Sequence, residues 1–317
     1  MSVTSDKIKL PPYIEGTSAL LGSTVATAFL QPFDFLKVRL QGSGFASSSG
    51  NSSGSGEITK IKRVGVIETC KNVLKNEGIK QFWRGSSPTI VASGIAWGTY
   101  MHFYETYKNI LKTKQNVTQL DTFNHFICAV GASASQVFIT NPIFLIKTRM
   151  QLQTPGSPTY YTGIFDGIKK TVKIEGFKGL YKGVIPSLWL TFHGGIQMSS
   201  YEHIKYYFST SSSKSLDSLN ASEIFIASSV SKLLASTILY PFQVVKTRLQ
   251  DERNIPNQNN VKVYNGTKDV IFKILKNEGI TGFYRGFVPN TIKVIPNTSI
   301  TLLVYEEIKK MFQLYYK

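Results

Sequence analysis

The chain has 317 residues and a formal net charge of +17, which indicates an anionic partner. Nucleic acid is the first class that such a charge suggests, but the distribution of Lys and Arg described below argues against it. Two cysteines, Cys70 and Cys128, form no CxxC or Cys/His cluster, so neither a disulfide framework nor a zinc site is expected.

The first ten residues contain no apolar segment of the kind that a secretory signal has, and they are too short and arginine-poor for a typical transit peptide. If the protein is directed to an organelle, we expect the targeting signal to lie inside the chain. The sequence shows no nucleophile–base pairing, no metal-ligand cluster and no phosphate-binding loop ending in Gly-Lys-Ser/Thr. We therefore expect neither an enzyme nor a bound cofactor.

Six stretches are nearly free of Asp, Glu, Lys and Arg, and each is close to the about 20 residues that a helix needs to cross a bilayer. The stretches are Gly16–Phe33, Gly85–Tyr104, Thr122–Ile146, Gly183–Tyr201, Ile224–Val245 and Gly286–Tyr305. Their many Ser, Thr, Gly, Asn and Gln residues are typical of helices with one face on lipid and another on a polar cavity. The alternative is six buried amphipathic helices of a soluble protein.

Three long connections follow the first, third and fifth stretches, and each contains a segment with helical periodicity. The connections are 37–84, 147–182 and 246–285, and the helical segments are Val64–Leu74, Gly163–Ile174 and Gly266–Leu275. Each segment is followed by a Glu-Gly pair, whose glycine we expect in the left-handed C-terminal cap. In the first connection, the Gly- and Ser-rich tract 42–57 is typical of a flexible insertion.

The positive charge is concentrated in these connections. They hold 24 of the 36 Lys and Arg residues but only 9 of the 19 Asp and Glu residues. This asymmetry is typical of a membrane protein whose long connections stay on the side that is not translocated. The same basic face suits anionic lipid head groups.

One motif occurs three times along the chain. It reads QPFDFLKVRLQ at 31–41, NPIFLIKTRMQ at 141–151 and YPFQVVKTRLQ at 240–250. The spacing of about a hundred residues predicts three homologous repeats, which we place at 1–115, 116–215 and 216–317.

The proline of each motif kinks its helix and can bring the three helices together at one end of a bundle. The residues two, five and nine positions after each proline share one helical face. These nine residues, called the first ring below, are Asp34, Lys37, Gln41, Phe144, Lys147, Gln151, Gln243, Lys246 and Gln250. They can form ion pairs and hydrogen bonds between helices; the alternative is ordinary anchors at a helix end.

A second threefold set lies at the ends of the second, fourth and sixth stretches, where an aromatic residue precedes Glu-x-x-Lys. This second ring consists of Glu105, Lys108, Glu202, Lys205, Glu306 and Lys309. Pairing within each helix is the alternative, and it contributes only a few tenths of a kcal/mol. We expect a ring that closes the opposite end of the bundle.

A third repeated motif has an aromatic residue, a basic residue and glycine before an apolar helix. The three turns are Trp83-Arg84-Gly85, Tyr181-Lys182-Gly183 and Tyr284-Arg285-Gly286. Such a turn suits the membrane interface, and the helix N-terminal amides can hold a lipid phosphate. An interfacial anchor without bound lipid is the alternative.

Together, the three motifs resemble those of the mitochondrial carrier family, over essentially the whole chain. The resemblance implies an all-α membrane protein with six tilted transmembrane helices in three homologous repeats, short matrix helices and a pseudo-threefold bundle. It implies alternating access, with the first ring as matrix gate, the second as cytoplasmic gate, and cardiolipin at the aromatic-basic-Gly turns. It also implies a monomer in the mitochondrial inner membrane with termini facing the intermembrane space; a peroxisomal membrane is the alternative.

The first ring departs from the family pattern. Phe144 and Gln243 occupy positions where the pattern has an acid, so Asp34 is the single carboxylate and Lys147 its expected partner. We therefore expect this ring to depend on packing of Phe144 and on hydrogen bonds of its glutamines. An aromatic and a glutamine at these positions resemble the folate, flavin and pyridine-nucleotide carriers. FAD or folate is the first candidate substrate; NAD, another nucleotide, CoA, or a non-transporting membrane adaptor are the alternatives.

Lys232 and Lys293 are the only Lys or Arg residues inside the six stretches, and a charge within the membrane marks a functional site by default. We expect them to neutralise phosphates or carboxylates of the substrate; snorkelling or pairing with a carbonyl is the alternative. The other substrate-binding candidates, which can stack on or hydrogen-bond a planar solute, are Trp97, Tyr100, Trp189 and His193. Packing against lipid or helices is the alternative for each.

Overall fold

The computed structural model describes residues 12–42, 65–117, 119–154, 160–211, 221–251 and 264–315, and all regular structure in these ranges is helical. Almost all of the Gly- and Ser-rich tract 42–57 lies outside them. The α-helices of the described residues are α1 (Pro12–Gly42), α2 (Val66–Asn76), α3 (Ser86–Gln115), α4 (Thr122–Leu152), α5 (Ile164–Glu175), α6 (Val184–Trp189), α7 (His193–Ser211), α8 (Ala221–Gln250), α9 (Thr267–Glu278) and α10 (Phe287–Tyr315). Short 3₁₀ turns lie at Ile79–Trp83, Phe177–Tyr181, Leu190–Phe192 and Ile280–Tyr284.

Six long rods cover the six weakly charged stretches, as predicted. Five are the single helices α1, α3, α4, α8 and α10, each 29 to 31 residues long. The other joins α6 to α7 through the 3₁₀ turn Leu190–Phe192. A helix of 30 residues is about 45 Å long, more than a bilayer core requires. By length and composition alone, two described helices are apolar enough to span a membrane, Phe123–Leu152 and Ser222–Gln250.

The rods close into a ring because their most extensive contacts join different repeats. The pairs are α1 with α10, α3 with α4, and α7 with α8. The rods α1, α4 and α8, which contain Pro32, Pro142 and Pro241, also contact one another. The convergence predicted from the three prolines is therefore present, and the all-helical threefold bundle is confirmed.

Each predicted surface helix lies within three residues of its expected bounds and packs against the proline-containing rod of its own repeat. In the third repeat, Tyr240 and Val244 of α8 are buried against Val270 and Ile274 of α9. Equivalent clusters are Phe35, Leu36, Val73 and Phe82 in the first repeat, and Leu145, Ile146, Met150 and Tyr161 in the second. Each such side chain contributes about 1.5–3 kcal/mol by leaving water. The surface helices are thereby fixed to the rods that carry the first ring.

The Glu-Gly turns after the surface helices have positive φ, but they are not the left-handed caps that we expected. Gly176 has φ 72° and ψ 179°, and Gly279 has φ 69° and ψ −167°. This combination is open essentially to glycine alone. The left-handed conformation occurs instead at the next turn, where Gly183 has φ 79° and ψ 9°. Two successive glycine turns reverse the chain between each surface helix and the next rod.

Candidate functional site: a cavity closed at one end

A cavity of about 580 Å³, called the large cavity below, lies between α3, α4, the joined α6–α7 rod and α8. Aromatic side chains of Trp97 and Tyr100 line one side of it, and His193 lies on another. Its remaining wall combines apolar groups with hydroxyl and amide groups, among them those of Gln136 and Thr140. A space of this size and chemistry fits a solute that carries both planar rings and polar groups.

The first ring lies together at one end of this cavity. A second, smaller cavity of about 170 Å³, called the gate cavity below, is lined by all nine first-ring residues and by Val38, Thr148, Leu190 and Thr247. Phe144, Leu190 and Lys246 line both spaces and so form the floor between them. The sequence prediction that these residues meet at the convergence of three helices is consistent with this arrangement.

Asp34 is the centre of the ion pairing in the first ring. Its carboxylate accepts a hydrogen bond from Lys293 of α10, with Nζ and Oδ1 2.5 Å apart. The expected partner, Lys147, is also present, but its Nζ lies 4.0 Å from Oδ2. One carboxylate is therefore shared by two lysines. Lys293, which we expected to stand free for substrate, is engaged with the gate in this conformation.

The other two lysines of the ring have neutral partners. Lys37 donates a hydrogen bond to Oε1 of Gln243 at 2.8 Å. Lys246 lies over the ring of Phe144, 5.3 Å from its centroid. Gln243 and Phe144 are the two residues that replace the acids of the family pattern. The closed end is therefore held partly by a hydrogen bond to Gln243 and partly by a cation–π contact with Phe144, where the sequence analysis expected packing of the phenylalanine.

Below the lysines, hydroxyl groups and glutamines join neighbouring repeats. Thr148 donates to Oε1 of Gln250 at 3.0 Å, and Thr247 donates to Oε1 of Gln41 at 2.8 Å. Gln41 in turn donates to the hydroxyl of Tyr240 at 3.1 Å. Gln151 was expected to act in the same way, but both amide atoms of its side chain are buried without a hydrogen-bond partner in the described structure.

Val38 explains the exception. It occupies the position, directly after the ring lysine, that Thr148 and Thr247 occupy in the other repeats. We call the threonine–glutamine hydrogen bonds between repeats the hydroxyl–glutamine layer. Valine has no hydroxyl, so the third bond of this layer, to Gln151, cannot form. A buried polar group without a partner costs about 1–3 kcal/mol.

We expect Val38→Thr to stabilise the protein by about 1 kcal/mol, because the new hydroxyl reaches the position that bonds glutamine in the other two repeats. A thermal-shift measurement on purified protein would show a rise of about 2 °C. Thr247→Val, which deletes one of the existing bonds, is the matched variant and should lower the midpoint. A midpoint for Val38→Thr at or below that of the wild type would contradict the role of this position in the hydroxyl–glutamine layer.

Three arginines, each two residues after a ring lysine, connect the repeats in a cycle. The Nε atom of Arg39 donates to the carbonyl of Gln151 at 2.7 Å, and that of Arg149 donates to the carbonyl of Gln250 at 3.0 Å. Arg248 completes the cycle by donating to the carbonyl of Gln41 at 3.2 Å. A cation at the C-terminal end of a helix interacts favourably with the helix dipole.

Each of these arginines also contacts the glutamate of the Glu-Gly turn in its own repeat. The pairs are Arg39–Glu77, Arg149–Glu175 and Arg248–Glu278, with nearest atoms 2.8, 2.5 and 2.5 Å apart. Glu175 is also paired with Lys182. Burial raises the pKa of Glu175, but hydrogen bonds and charge from Arg149 and Lys182 hold that pKa below its usual value.

The second ring is not assembled among the described side chains. Glu105 and Lys108 form a pair of 2.5 Å within α3, which is the local pairing we considered as the alternative. Glu202 and Lys205 form no ion pair with any residue that the structure describes, and the side chains of Glu306 and Lys309 lie outside the described residues. The inter-helix ring at this end stays a prediction.

The substrate-binding candidates separate into two groups. Trp97, Tyr100 and His193 line the large cavity, whereas Lys232 and Lys293 do not. Trp189 is also outside its lining and stacks on Phe242, with centroids 5.6 Å apart and planes at 17°. Lys232 is half-buried on α8 and has no hydrogen-bond or ion-pair partner within the described ranges.

Sequence reasoning missed the polar wall of the cavity. Ser133, Gln136 and Thr140 of α4 line it. Their spacing of three and four residues inside an apolar stretch places them on one helical face, which was the available signal. Asn141 also borders the cavity, but its amide donates to the carbonyl of Leu180 at 2.8 Å. This hydrogen bond holds α4 against the 3₁₀ turn Phe177–Tyr181.

The three aromatic-basic-Gly turns differ in where their basic side chains lie. Lys182 and Arg285 contact Glu175 and Glu278 of their own repeats. Arg84 instead lies over the ring of Tyr160, 4.3 Å from its centroid. Trp83 donates to the carbonyl of Ala28 at 2.9 Å, and Tyr284 stacks on Tyr240 with centroids 6.1 Å apart. Cardiolipin binding at these turns stays a prediction.

A ring of six long helices in three repeats, around a cavity that the ion-paired first ring closes at one end, is the architecture of a membrane solute carrier. The comparison with known sequences agrees. The family described as "Mitochondrial carrier protein" matches residues 9–115, 118–212 and 217–316. The chain belongs to the mitochondrial carrier family. It is thus a multi-pass membrane transporter and not an enzyme.

Three relatives show how the similarity extends within the family. "Mitochondrial substrate carrier family protein M" of Dictyostelium discoideum is 88% identical over 94% of this chain and 95% of its own length. "Nicotinamide adenine dinucleotide transporter 2, mitochondrial" of Arabidopsis thaliana is 34% identical over 94% of this chain and 79% of its own length. "Folate transporter 1, chloroplastic" of the same plant is 36% identical over 76% of this chain and 80% of its own length.

Proposed function

We propose that the protein transports a planar, anionic, cofactor-type solute across the mitochondrial inner membrane, with NAD as the first candidate and FAD and folate next. The observation that carries the proposal is one cavity of about 580 Å³ that combines Trp97 and Tyr100 with a floor containing Lys246. The similarity to a dinucleotide transporter spans more of the chain than the similarity to a folate transporter. The order of candidates therefore differs from the one predicted from sequence.

The cavity chemistry suits a dinucleotide. Aromatic rings of Trp97 and Tyr100 offer stacking faces for a base or a nicotinamide, and stacking of one base contributes about 1–3 kcal/mol. Ser133, Gln136 and Thr140 supply hydrogen bonds to ribose hydroxyls and amides. Lys246 attracts the diphosphate from the floor.

The pairing of Asp34 with both Lys147 and Lys293 suggests how substrate opens the matrix gate. A substrate anion that reaches Lys293 takes the place of the Asp34 carboxylate, which loosens the first ring as the matrix gate. The second ring then closes as the cytoplasmic gate. In this proposal the termini face the intermembrane space, the transporter is a monomer with cardiolipin at its three turns, and a peroxisomal location is the alternative.

Uptake by liposomes of phosphatidylcholine and cardiolipin containing the purified protein tests the substrate class. We expect saturable uptake of NAD, with weaker uptake of FAD, FMN, folate and adenine nucleotides. Preferential uptake of FAD or folate would support the order predicted from sequence. No uptake of any member of the panel would contradict the proposal and favour a non-transporting adaptor.

Two tryptophans give a matched test of the cavity. Trp97→Leu should raise the KM for uptake about tenfold, because it removes a stacking surface from the cavity. Trp189→Leu removes a tryptophan that stacks on Phe242 outside the cavity lining, and its KM should stay within about twofold of wild type. Equal effects of the two substitutions would remove Trp97 from the proposed site.

A further inference from the structure

The gate cavity contains more positive charge than the residues around it can neutralise. Lys37, Lys147 and Lys246 line it, and Asp34 is the only carboxylate in its described lining. That carboxylate is shared between Lys147 and Lys293, so four ammonium groups depend on one acid. A charge moved out of water without a counter-charge costs several kcal/mol.

The partners of the remaining lysines supply dipoles and not charge. Lys37 has the amide oxygen of Gln243, and Lys246 has the face of the Phe144 ring. Both contacts orient the ammonium groups, yet neither changes the net charge of the closed gate. A small anion inside the cavity would offset this charge where the ring has no acid.

A second, independent feature of the cavity indicates a ligand. Gln151 lines the gate cavity, is fully buried, and has an amide nitrogen and oxygen without a hydrogen-bond partner in the described structure. Gln41 and Gln250, its counterparts, both have hydroxyl partners. An unpaired NH₂ donor beside several ammonium groups is the donor set that an anion requires.

We propose that the gate cavity binds one small inorganic anion, of the size and charge of chloride, while this end of the protein is closed. Its volume of about 170 Å³ exceeds the space needed for a single water molecule and accommodates such an ion with bridging waters. The ion lies among Lys37, Lys147 and Lys246 and accepts a hydrogen bond from Gln151. It leaves when the ring opens, because the lysines then separate. The inference does not depend on which solute is transported.

Thermal unfolding of the purified protein at constant ionic strength tests the site, with chloride replaced stepwise by gluconate. We expect the midpoint to rise saturably with chloride, by about 2–4 °C at concentrations about tenfold above the dissociation constant. Gluconate is many times larger than chloride and should produce no saturable rise. Identical curves in the two salts would overturn the proposal and indicate a cavity filled by water alone.

Matched variants separate this site from general screening by salt. Lys246→Met should remove most of the chloride-dependent shift, and Gln151→Leu should weaken the apparent affinity several-fold. Lys276→Met, which removes an exposed lysine from α9, should keep the full shift. Equal losses in Lys246→Met and Lys276→Met would overturn the proposal. If the cavity variants do not fold, anomalous diffraction from crystals of the wild type grown in bromide decides: a peak in the gate cavity supports the site, and its absence refutes it.

Discussion

Lys293→Ala abolishes uptake of the anionic substrate, and Asp34→Asn changes both its KM and its maximal rate, if the two residues compete for one ion pair as proposed. Lys293 Nζ lies 2.5 Å from the Asp34 carboxylate, so the alanine variant loses both this pair and the proposed substrate contact. The two side chains are 26% and 15% exposed, so truncating one of them should cost about 2–3 kcal/mol, the lower part of the range for buried pairs, which corresponds to a loss of about 10²-fold in kcat/KM.

Asp34→Asn has the opposite effect on binding. The carboxylate is an internal competitor for Lys293, so its removal should lower the KM for uptake several-fold. The first ring then closes without its single acid, which should also lower the maximal rate because one half of the transport cycle is destabilised. A lower KM together with a lower maximal rate distinguishes competition for Lys293 from a structural defect, which would not improve substrate binding.

The controls for this pair are an exposed lysine and the double variant. Lys276→Ala, on the outer face of α9, should transport at the wild-type rate. The double variant Lys293→Ala/Asp34→Asn should lose less than the sum of the two single losses, because both substitutions remove the same Lys293–Asp34 pair. Wild-type uptake by Lys293→Ala, or an unchanged KM in Asp34→Asn, would contradict the shared ion pair.

The pairing of Lys293 with Asp34 could not be predicted from the sequence, although the helices that carry these residues could. Periodicity and the three prolines were sufficient for the six rods and their convergence, because these signals are local and occur three times. The two residues are 259 positions apart, on the last and first rods, which meet only because the ring closes. The motif therefore predicted the first ring but assigned Asp34 to Lys147 alone.

The acceptors of Arg39, Arg149 and Arg248 could not be predicted for a different reason. Their Nε atoms donate to backbone carbonyls of the neighbouring repeat. Every residue has a backbone carbonyl, so the residue types do not indicate which carbonyl accepts the hydrogen bond. The sequence shows that Val38 stands where the other repeats have threonine. Only the Thr148–Gln250 hydrogen bond in the structure shows that this position pairs with a glutamine of the neighbouring repeat, and hence that Gln151 lacks a partner. The second ring was predicted to close the opposite end of the bundle, and two of its six side chains, those of Glu306 and Lys309, lie outside the described residues.

The largest expected loss of stability follows from Glu175→Gln. Arg149 and Glu175 have side chains that are 0% and 4% exposed, with Nη1 and Oε1 2.5 Å apart. Arg149 also bonds the last carbonyl of α8, so this pair connects α5, α4 and the neighbouring repeat. Removing one charge from a buried pair leaves the other without compensation and costs about 3–5 kcal/mol. We expect the thermal midpoint to fall by on the order of 10 °C.

Glu105→Gln is the matched control, because it removes a carboxylate from a pair of equal length. Glu105 lies 2.5 Å from Lys108, but its side chain is 55% exposed. Exposed pairs contribute about 0–1 kcal/mol, so the midpoint should move by no more than about 2 °C. Equal shifts in the two variants would show that burial does not determine the effect, contrary to the argument.

The pH dependence of the same variant provides a second test. Burial alone raises the pKa of Glu175, but Arg149 and Lys182 lower it below the usual 4.5. A carboxylate whose pKa is lower in the folded than in the unfolded state stabilises the protein above the unfolded pKa, and this contribution is lost as the pH falls through the folded value. The difference in midpoint between wild type and Glu175→Gln should therefore be constant from about pH 6 to 8 and shrink below about pH 4.5. A difference that persisted undiminished in acid would mean that Glu175 stabilises the bundle by packing and not by its charge.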